Sequence, residues 1–297
     1  MKTELVHTLH DSIELRFDSQ SLFRYVYEPP EAQVESPRPY FHPLRTLAGD
    51  AVTLYRPHDH VWHKGLSMTC AQLSDQNFWG GETYVPGRGY VQLNNNGRVQ
   101  HRKWEDIQCD DERVDLHERL AWVTSDGETW LREKRRITVD DMRPDEGSYC
   151  LSLEFELENA RGAPLIFGSP TTKGRPLAGY GGLFWRGPRS FHGGAVLAAG
   201  GLEGPDIMGQ HSPWLAYVGR HDENGRASTL VFVDQPGNPG YPNKWFVRCQ
   251  EYAGASFAFL FDEELLLAPD DELLLSYRIV VADGAWTRER IEARARP

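Results

Sequence analysis

The chain has 297 residues, 40% of them hydrophobic and 25% charged, a balance that excludes disordered and fibrous classes and suffices to bury one sizeable core. Its formal charge of −11 and the absence of a Lys/Arg run argue against a nucleic-acid partner, so an anionic substrate would need a local arginine pocket. The segment Met1 to Asp18 carries charges and histidines instead of an apolar run, no stretch reaches the ~20 apolar residues of a membrane span, and Cys70, Cys109, Cys150 and Cys249 form no CxxC pair, which together predict a cytoplasmic protein with reduced thiols and no membrane partner.

Taken in chain order, apolar residues recur with the two-residue period of half-buried strands. Ile13, Leu15 and Phe17 share one face, as do Val114 and Leu116 further on. Asn94 to Gly97 and Ser125-Asp126-Gly127 are turn clusters, because Asn, Asp and Gly adopt backbone conformations that branched residues resist. The clearest strand is Tyr149 to Glu158, in which apolar residues alternate with Ser152, Glu154, Glu156 and Glu158. The stretch Gly179 to Gly204 reads as the chief irregular region, and Gly237 to Gly240 as another turn. A strand is expected through Phe257, Phe259 and Phe261, then a turn at Pro269-Asp270-Asp271, then a strand from Leu273 to Val281. Thr287 caps a short helix expected over residues 287–295, whose apolar stripe is thin. These elements predict an all-β fold, a single large antiparallel β-sandwich domain over residues 1–297, with residues 149–158 and 255–281 in central strands.

Four constellations carry the candidate chemistry. The first is Arg56-Pro57-His58-Asp59-His60-Val61-Trp62-His63-Lys64, preceded by His42 and Arg45. An imidazole with an ordinary pKa near ~6.5 can give or take a proton at neutral pH, so this density of histidine points to acid/base work. On a regular strand His60 and His63 would face opposite sides, and they share a cleft only if the chain turns or bulges near Val61-Trp62. A His-x-His pair could also hold a divalent metal with a third ligand from His42, Glu82 or His211, and the plainer alternative is a polar cluster bonded to backbone and carboxylates. No cofactor is required by the acid/base reading.

In the second, Asn77-Phe78-Trp79-Gly80-Gly81-Glu82, Glu82 is a candidate base, unless the segment is an aromatic core plug with a solvated carboxylate. The third supplies Arg175, Tyr180 and Arg186 around a glycine-rich backbone that can approach a ligand, with stacking faces and guanidinium donors suited to sugar oxygens, unless the glycine loop is purely structural. The fourth includes His211 and a proline-stiffened loop with Asn238, Trp245 and Arg248, read equally well as a pocket rim or as a loop closing the sandwich.

The order of the motifs RPYFHPL (38–44), PHDHVWHKGL (57–66), NFWGG (77–81), GYGGLFWR (179–186) and NPGYPNKWFVR (238–248) resembles a bacterial family labelled PmoA-like, a domain of unknown function, over about Leu22 to Gly284. Its most specific parts are Asp59-His60-Val61-Trp62-His63 and Tyr180 to Gly182, and Lys64 stands where the resemblance implies arginine. Methane oxygenation belongs to a membrane assembly, and a chain without a spanning helix does not inherit it from the label. Members of the family are similar to galactose-mutarotase-like β-supersandwich proteins, which implies that fold and a small-molecule carbohydrate substrate here. The expected function is therefore carbohydrate-active proton-transfer chemistry, as an epimerase, lyase or glycoside-processing enzyme. His60 and His63 are the favoured pair, assisted by His58 or His211, with Glu82 as a further candidate; His42, Arg45, Arg175, Tyr180, Arg186, Asn238, Trp245 and Arg248 are candidate substrate contacts. The alternatives are a metal-dependent hydrolase or oxygenase built on the histidine cluster, and a non-catalytic carbohydrate-binding protein.

Overall fold

The alternation of apolar residues resolves into two eight-stranded antiparallel sheets in a computed structural model that describes residues 2–296. Met1 and Pro297, the ends of the expected domain, lie outside the described residues. One sheet runs in the order Thr3–Thr8, Ser12–Phe17, Gln20–Val26, Tyr40–Leu44, Leu66–Thr69, Gly182–Arg186, Gly254–Phe257, Trp245–Arg248. The other runs Ala195–Ala198, Trp214–Arg220, Ala227–Asp234, Glu272–Asp283, Ser148–Asn159, Thr129–Arg143, Val114–Val123, Arg98–Cys109. Their inner faces meet in a continuous core in which Ile13, Leu15, Phe23 and Trp185 of the first sheet pack with Leu116, Leu151, Leu153 and Tyr277 of the second. The fold is all-β in this sense: two large antiparallel sheets packed face to face.

The long strand Ser148–Asn159 pairs with Glu272–Asp283 on one side and Thr129–Arg143 on the other, so the segment with the cleanest alternation is central. The strand expected through Phe261 ends at Phe257, where the chain turns with Phe261 N donating to Ala258 O at 2.9 Å. That turn sends Ala258 and Phe261 to the outer face of the first sheet while Phe257 stays in the core. The glycine-rich stretch is also more regular than expected, because Gly182–Arg186 is a central strand. The helix forms at Arg288–Arg294, with the Thr287 hydroxyl accepting from Arg290 N at 3.4 Å.

A second, smaller apolar cluster covers the outer face of the first sheet: Trp79, Phe184, Phe246 and Phe261, with Trp62, Tyr180 and Tyr252 packed on it. Period-two geometry produces it directly. Leu183 and Trp185 point into the sandwich core while Phe184 and Arg186 point outward, and Trp245 and Val247 point inward while Phe246 and Arg248 point outward. Among the described residues no helix is long and apolar enough to cross a membrane. Cys70, Cys150 and Cys249 are buried thiols, Cys109 is exposed, and none is paired.

Candidate functional site

The outer cluster floors a cavity of about 340 Å³ walled by Trp62, Trp79, Tyr90, Tyr180, Phe246 and Tyr252 and furnished with His60, His63, Glu82, Arg175 and Arg248. Its histidines come from a loop whose ends are clasped by a bridge between Tyr55 and Lys64. Inside that loop two successive turns form, with His60 N donating to Pro57 O and His63 N donating to His60 O, both at 2.9 Å. The chain thus turns at Val61-Trp62, and the two imidazoles stack with ring centroids 4.7 Å apart and planes 27° apart.

Buried charges hold this loop in place. Glu35 receives both arms of Arg56 at 2.8 and 2.7 Å and the ammonium of Lys64, which also lies 3.6 Å from Glu31. Burial pulls the Lys64 ammonium down to about 8 against the upward pull of these carboxylates. Arg38 donates to Trp62 O at 2.8 Å, to Trp79 O at 2.9 Å, to Ser36 O at 2.9 Å and to Ser67 Oγ at 3.1 Å, tying the histidine loop to the Trp79 turn. That turn is set by Asn77, whose side-chain oxygen accepts from Trp79 N and Gly80 N at 2.8 and 2.9 Å. At Gly80, with φ of +107°, a Cβ would stand 2.6 Å from both Trp62 Cβ and Glu35 O, so the close approach of the two loops needs glycine.

His63 is 1% exposed, enclosed by Phe184 at 4.9 Å, Trp79 at 5.3 Å and Tyr252 at 5.6 Å between ring centroids. Burial holds its imidazole well below the ordinary histidine range, reinforced by the neighbouring His60 imidazole and by the positive charges of Arg186 and Arg38. Among the described residues its Nδ1 has no hydrogen-bond partner. His60 covers it at half exposure, and Asp59 Oδ2 lies 3.1 Å from His60 Nδ1 without the alignment of a hydrogen bond. Across the cleft, the Tyr180 and Tyr90 hydroxyls are 2.8 Å apart, Arg175 donates to Tyr90, and Tyr180 packs on Trp79 at 4.5 Å.

The structure therefore brings His60, His63, Glu82, Arg175, Tyr180 and Arg248 together. Arg186 lies behind the wall, its guanidinium 3.9 Å from the centroid of the Tyr252 ring. The other candidates stand elsewhere. His58 is exposed and meets Arg189 at 3.0 Å on the outer side of the loop. His42 stacks on Tyr55 and bonds Thr53 Oγ1 at 3.0 Å, and burial lowers it to about 4. Arg45 donates to Gly49 O, facing a different surface depression. His211 bonds Pro242 O at 2.7 Å away from the cleft. Asn238 is a turn lock, donating to Asp234 Oδ1 and Ser276 O at 2.7 Å each. Trp245 is fully buried in the sandwich core, its indole N–H on Ser212 O at 2.8 Å, because strand parity turns Phe246 to the cleft instead.

His42 and His211 are thus kept apart from the histidine pair. Among the described residues no three His, Cys, Asp or Glu side chains converge as metal ligands, although His60 and His63 offer two imidazoles. Trp62, Trp79, Tyr90, Phe246 and Tyr252 complete the cleft beyond the contacts the sequence predicts; Phe246 shares the strand face of the candidate Arg248, whereas for Tyr252, in the turn after that strand, no local pattern marks it.

No curated protein matches the sequence. Among solved structures the chain is similar to an α-galactosidase from Lactobacillus brevis (10% identity, TM-score 0.43, covering 95% of this chain and 40% of that one). It is similar to an α-galactosidase from Geobacillus stearothermophilus (12% identity, TM-score 0.40, 95% and 41%) and to a galactose 1-epimerase from Lactobacillus acidophilus NCFM (11% identity, TM-score 0.39, 96% and 100%). The chain spans about two fifths of the length of the two α-galactosidases. The PmoA-like label does not appear among the matches; residues 12–296 match the model described as Family of unknown function (DUF6807), and the chain belongs to that family.

Proposed function

We propose that the cleft binds a sugar or sugar derivative and that His60 and His63 move a proton on it, in an epimerase, lyase or glycoside-processing reaction. The observation that carries this reading is the stacked imidazole pair at the floor of an aromatic-walled cavity. Two imidazoles 4.7 Å apart resist carrying two positive charges at once, so one serves as base while the other holds the proton. Burial keeps His63 neutral and makes it the base; His60, half exposed and beside the Asp59 carboxylate, is the acid. The ring faces of Trp62, Trp79 and Tyr252 suit the apolar faces of a pyranose, while Arg175, Tyr90 and Tyr180 direct hydrogen-bonding groups towards hydroxyls.

Ligand-observed NMR with monosaccharides, disaccharides, uronic acids and keto-sugars tests binding, and product analysis on each binder tests turnover. His60→Gln and His63→Gln are expected to bind but not to turn over, since glutamine keeps hydrogen bonding and does not titrate near neutrality. Silence across the panel overturns the carbohydrate reading, and turnover undiminished in both variants overturns the acid/base assignment. Binding in all three proteins without turnover in any points to a non-catalytic carbohydrate-binding protein.

A further inference from the structure

The cleft reverses the charge of the molecule around it. The chain carries a formal −11, yet the cavity is lined by Arg175 and Arg248, with exposed Glu82 as its carboxylate. Arg175 lies over the Tyr90 ring at 4.8 Å and donates to its hydroxyl, a neutral partner. Arg248 lies over Phe246 at 5.2 Å, and its carboxylate neighbour, Glu251 at 3.7 Å, is 63% exposed and so screened by water.

The third guanidinium is the most informative. Among the described residues Arg186, 2% exposed, has no hydrogen-bond partner for its Nε and Nη1 and no ion pair, and the carboxylate whose field reaches it, Asp59, is exposed and engaged by Arg189 at 3.1 Å. Other buried arginines of this chain are satisfied: Arg38 by four carbonyls and a hydroxyl, Arg135 by Glu133 at 2.6 Å and the Tyr25 hydroxyl at 2.9 Å. An unpaired buried charge is costly, and proteins retain one where something else supplies the counter-charge. Arg186 and Arg248 flank Tyr252, a cleft wall, and both oppose the burial that pushes the Tyr252 phenol up to about 12. The unpartnered Nδ1 of His63 lies within the field of Arg186 as well.

We propose that the ligand is an acidic sugar, a ring bearing a carboxylate as in the uronic acids, with the carboxylate received by Arg248 at the Tyr252 wall of the cleft and Arg186 adding its positive field from behind that wall. The proposal rests on the carbohydrate reading and adds the ligand's charge to it. A planar carboxylate matches the guanidinium fork, and the cleft has no helix N-terminus of the kind that cradles a phosphate.

The test is calorimetric titration of the full chain with matched probes: galacturonate and glucuronate, their methyl esters, galactose and glucose, glucose 6-phosphate, and succinate as a carboxylate without a ring. A uronate is expected to bind at least about tenfold tighter than its ester and its neutral parent, as a charge-assisted hydrogen bond provides. The advantage should shrink as salt is raised and should largely disappear in Arg248→Gln, a half-exposed position where folding is not at stake. Arg186→Gln is the second variant, with its melting temperature measured beside it. Equal binding of uronate, ester and neutral sugar overturns the acidic inference and leaves the carbohydrate reading standing. Succinate binding as tightly as the uronates overturns the carbohydrate reading and leaves the anion site. Preference for the 6-phosphate overturns the carboxylate, and absence of binding by every probe overturns both.

Discussion

The neutral state of His63 governs both its proposed chemistry and the acid sensitivity of the fold, and it can be measured without knowing the substrate. In the unfolded chain its imidazole takes up a proton near the ordinary value of ~6.5. In the fold, burial first, then the neighbouring His60 and the charges of Arg186 and Arg38, hold its pKa well below that. The unfolded state therefore binds the extra proton, and stability is lost as pH falls through ~6.5, at up to about 1.4 kcal/mol per pH unit for this residue. Between about pH 7.5 and about pH 5.5 His63 should account for about 1.4 kcal/mol of lost stability, and His42, lowered to about 4 by burial and by Arg45 and Arg24, for a similar amount. Urea unfolding at a series of pH values, for the wild type, His63→Gln and His42→Gln, reads this directly. Each substitution changes the absolute stability through packing, but its own proton disappears from the slope, so each variant should lose about 1.4 kcal/mol less than the wild type over that window. A His63→Gln curve parallel to the wild type would mean that His63 protonates as readily folded as unfolded, which removes the neutral base and the mechanism built on it.

Other consequences of the geometry are equally open to measurement. Gly65 has φ of +57° and a Cβ there would stand 2.2 Å from Phe41 O, so Gly65→Ala should cost more than about 2 kcal/mol, whereas Gly87→Ala, with φ of +74° but open space, should cost about 1–2 kcal/mol from conformation alone; equal losses by urea unfolding would refute the contact. Arg135→Met strands the buried carboxylate of Glu133 and should cost about 3–5 kcal/mol, while Arg132→Met, which breaks only the exposed pair with Glu158, should cost under about 1 kcal/mol. Trp245→Phe should lower stability by about 1–3 kcal/mol and leave sugar affinity unchanged, whereas Phe246→Ala should weaken binding; affinity lost in the first and kept in the second, by titration, would reverse the assigned parity.

What could be read from the sequence depended on whether the two faces of a strand differ in chemistry. Ser148–Asn159 has glutamates on one side and leucines on the other, so its register and its central place follow from composition. The same logic required a turn between His60 and His63, since strand geometry alone would part them, and two consecutive turns supply it. The cleft floor is built from strands with no such contrast. In Gly182–Arg186 and Trp245–Arg248 both faces are apolar or buried, one against the sandwich core and one against the outer aromatic cluster, so alternation marks no inside and Trp245 could be mistaken for a ligand contact. Proximity in sequence misled for the same reason: His42 precedes the histidine loop, but its strand turns it onto Tyr55 and Thr53. Arg38 was invisible because its partners are backbone carbonyls at Trp62 and Trp79, groups that every residue possesses and no composition reveals. The residues that make the cleft are thus legible where side-chain chemistry itself is unusual, as with paired histidines, and illegible where a common residue acts through the backbone of a distant loop. Arg186 joins the two cases: its residue type is legible in the sequence, but only the lack of a hydrogen-bonded partner for its Nε and Nη1 among the described residues distinguishes it from Arg38 and Arg135.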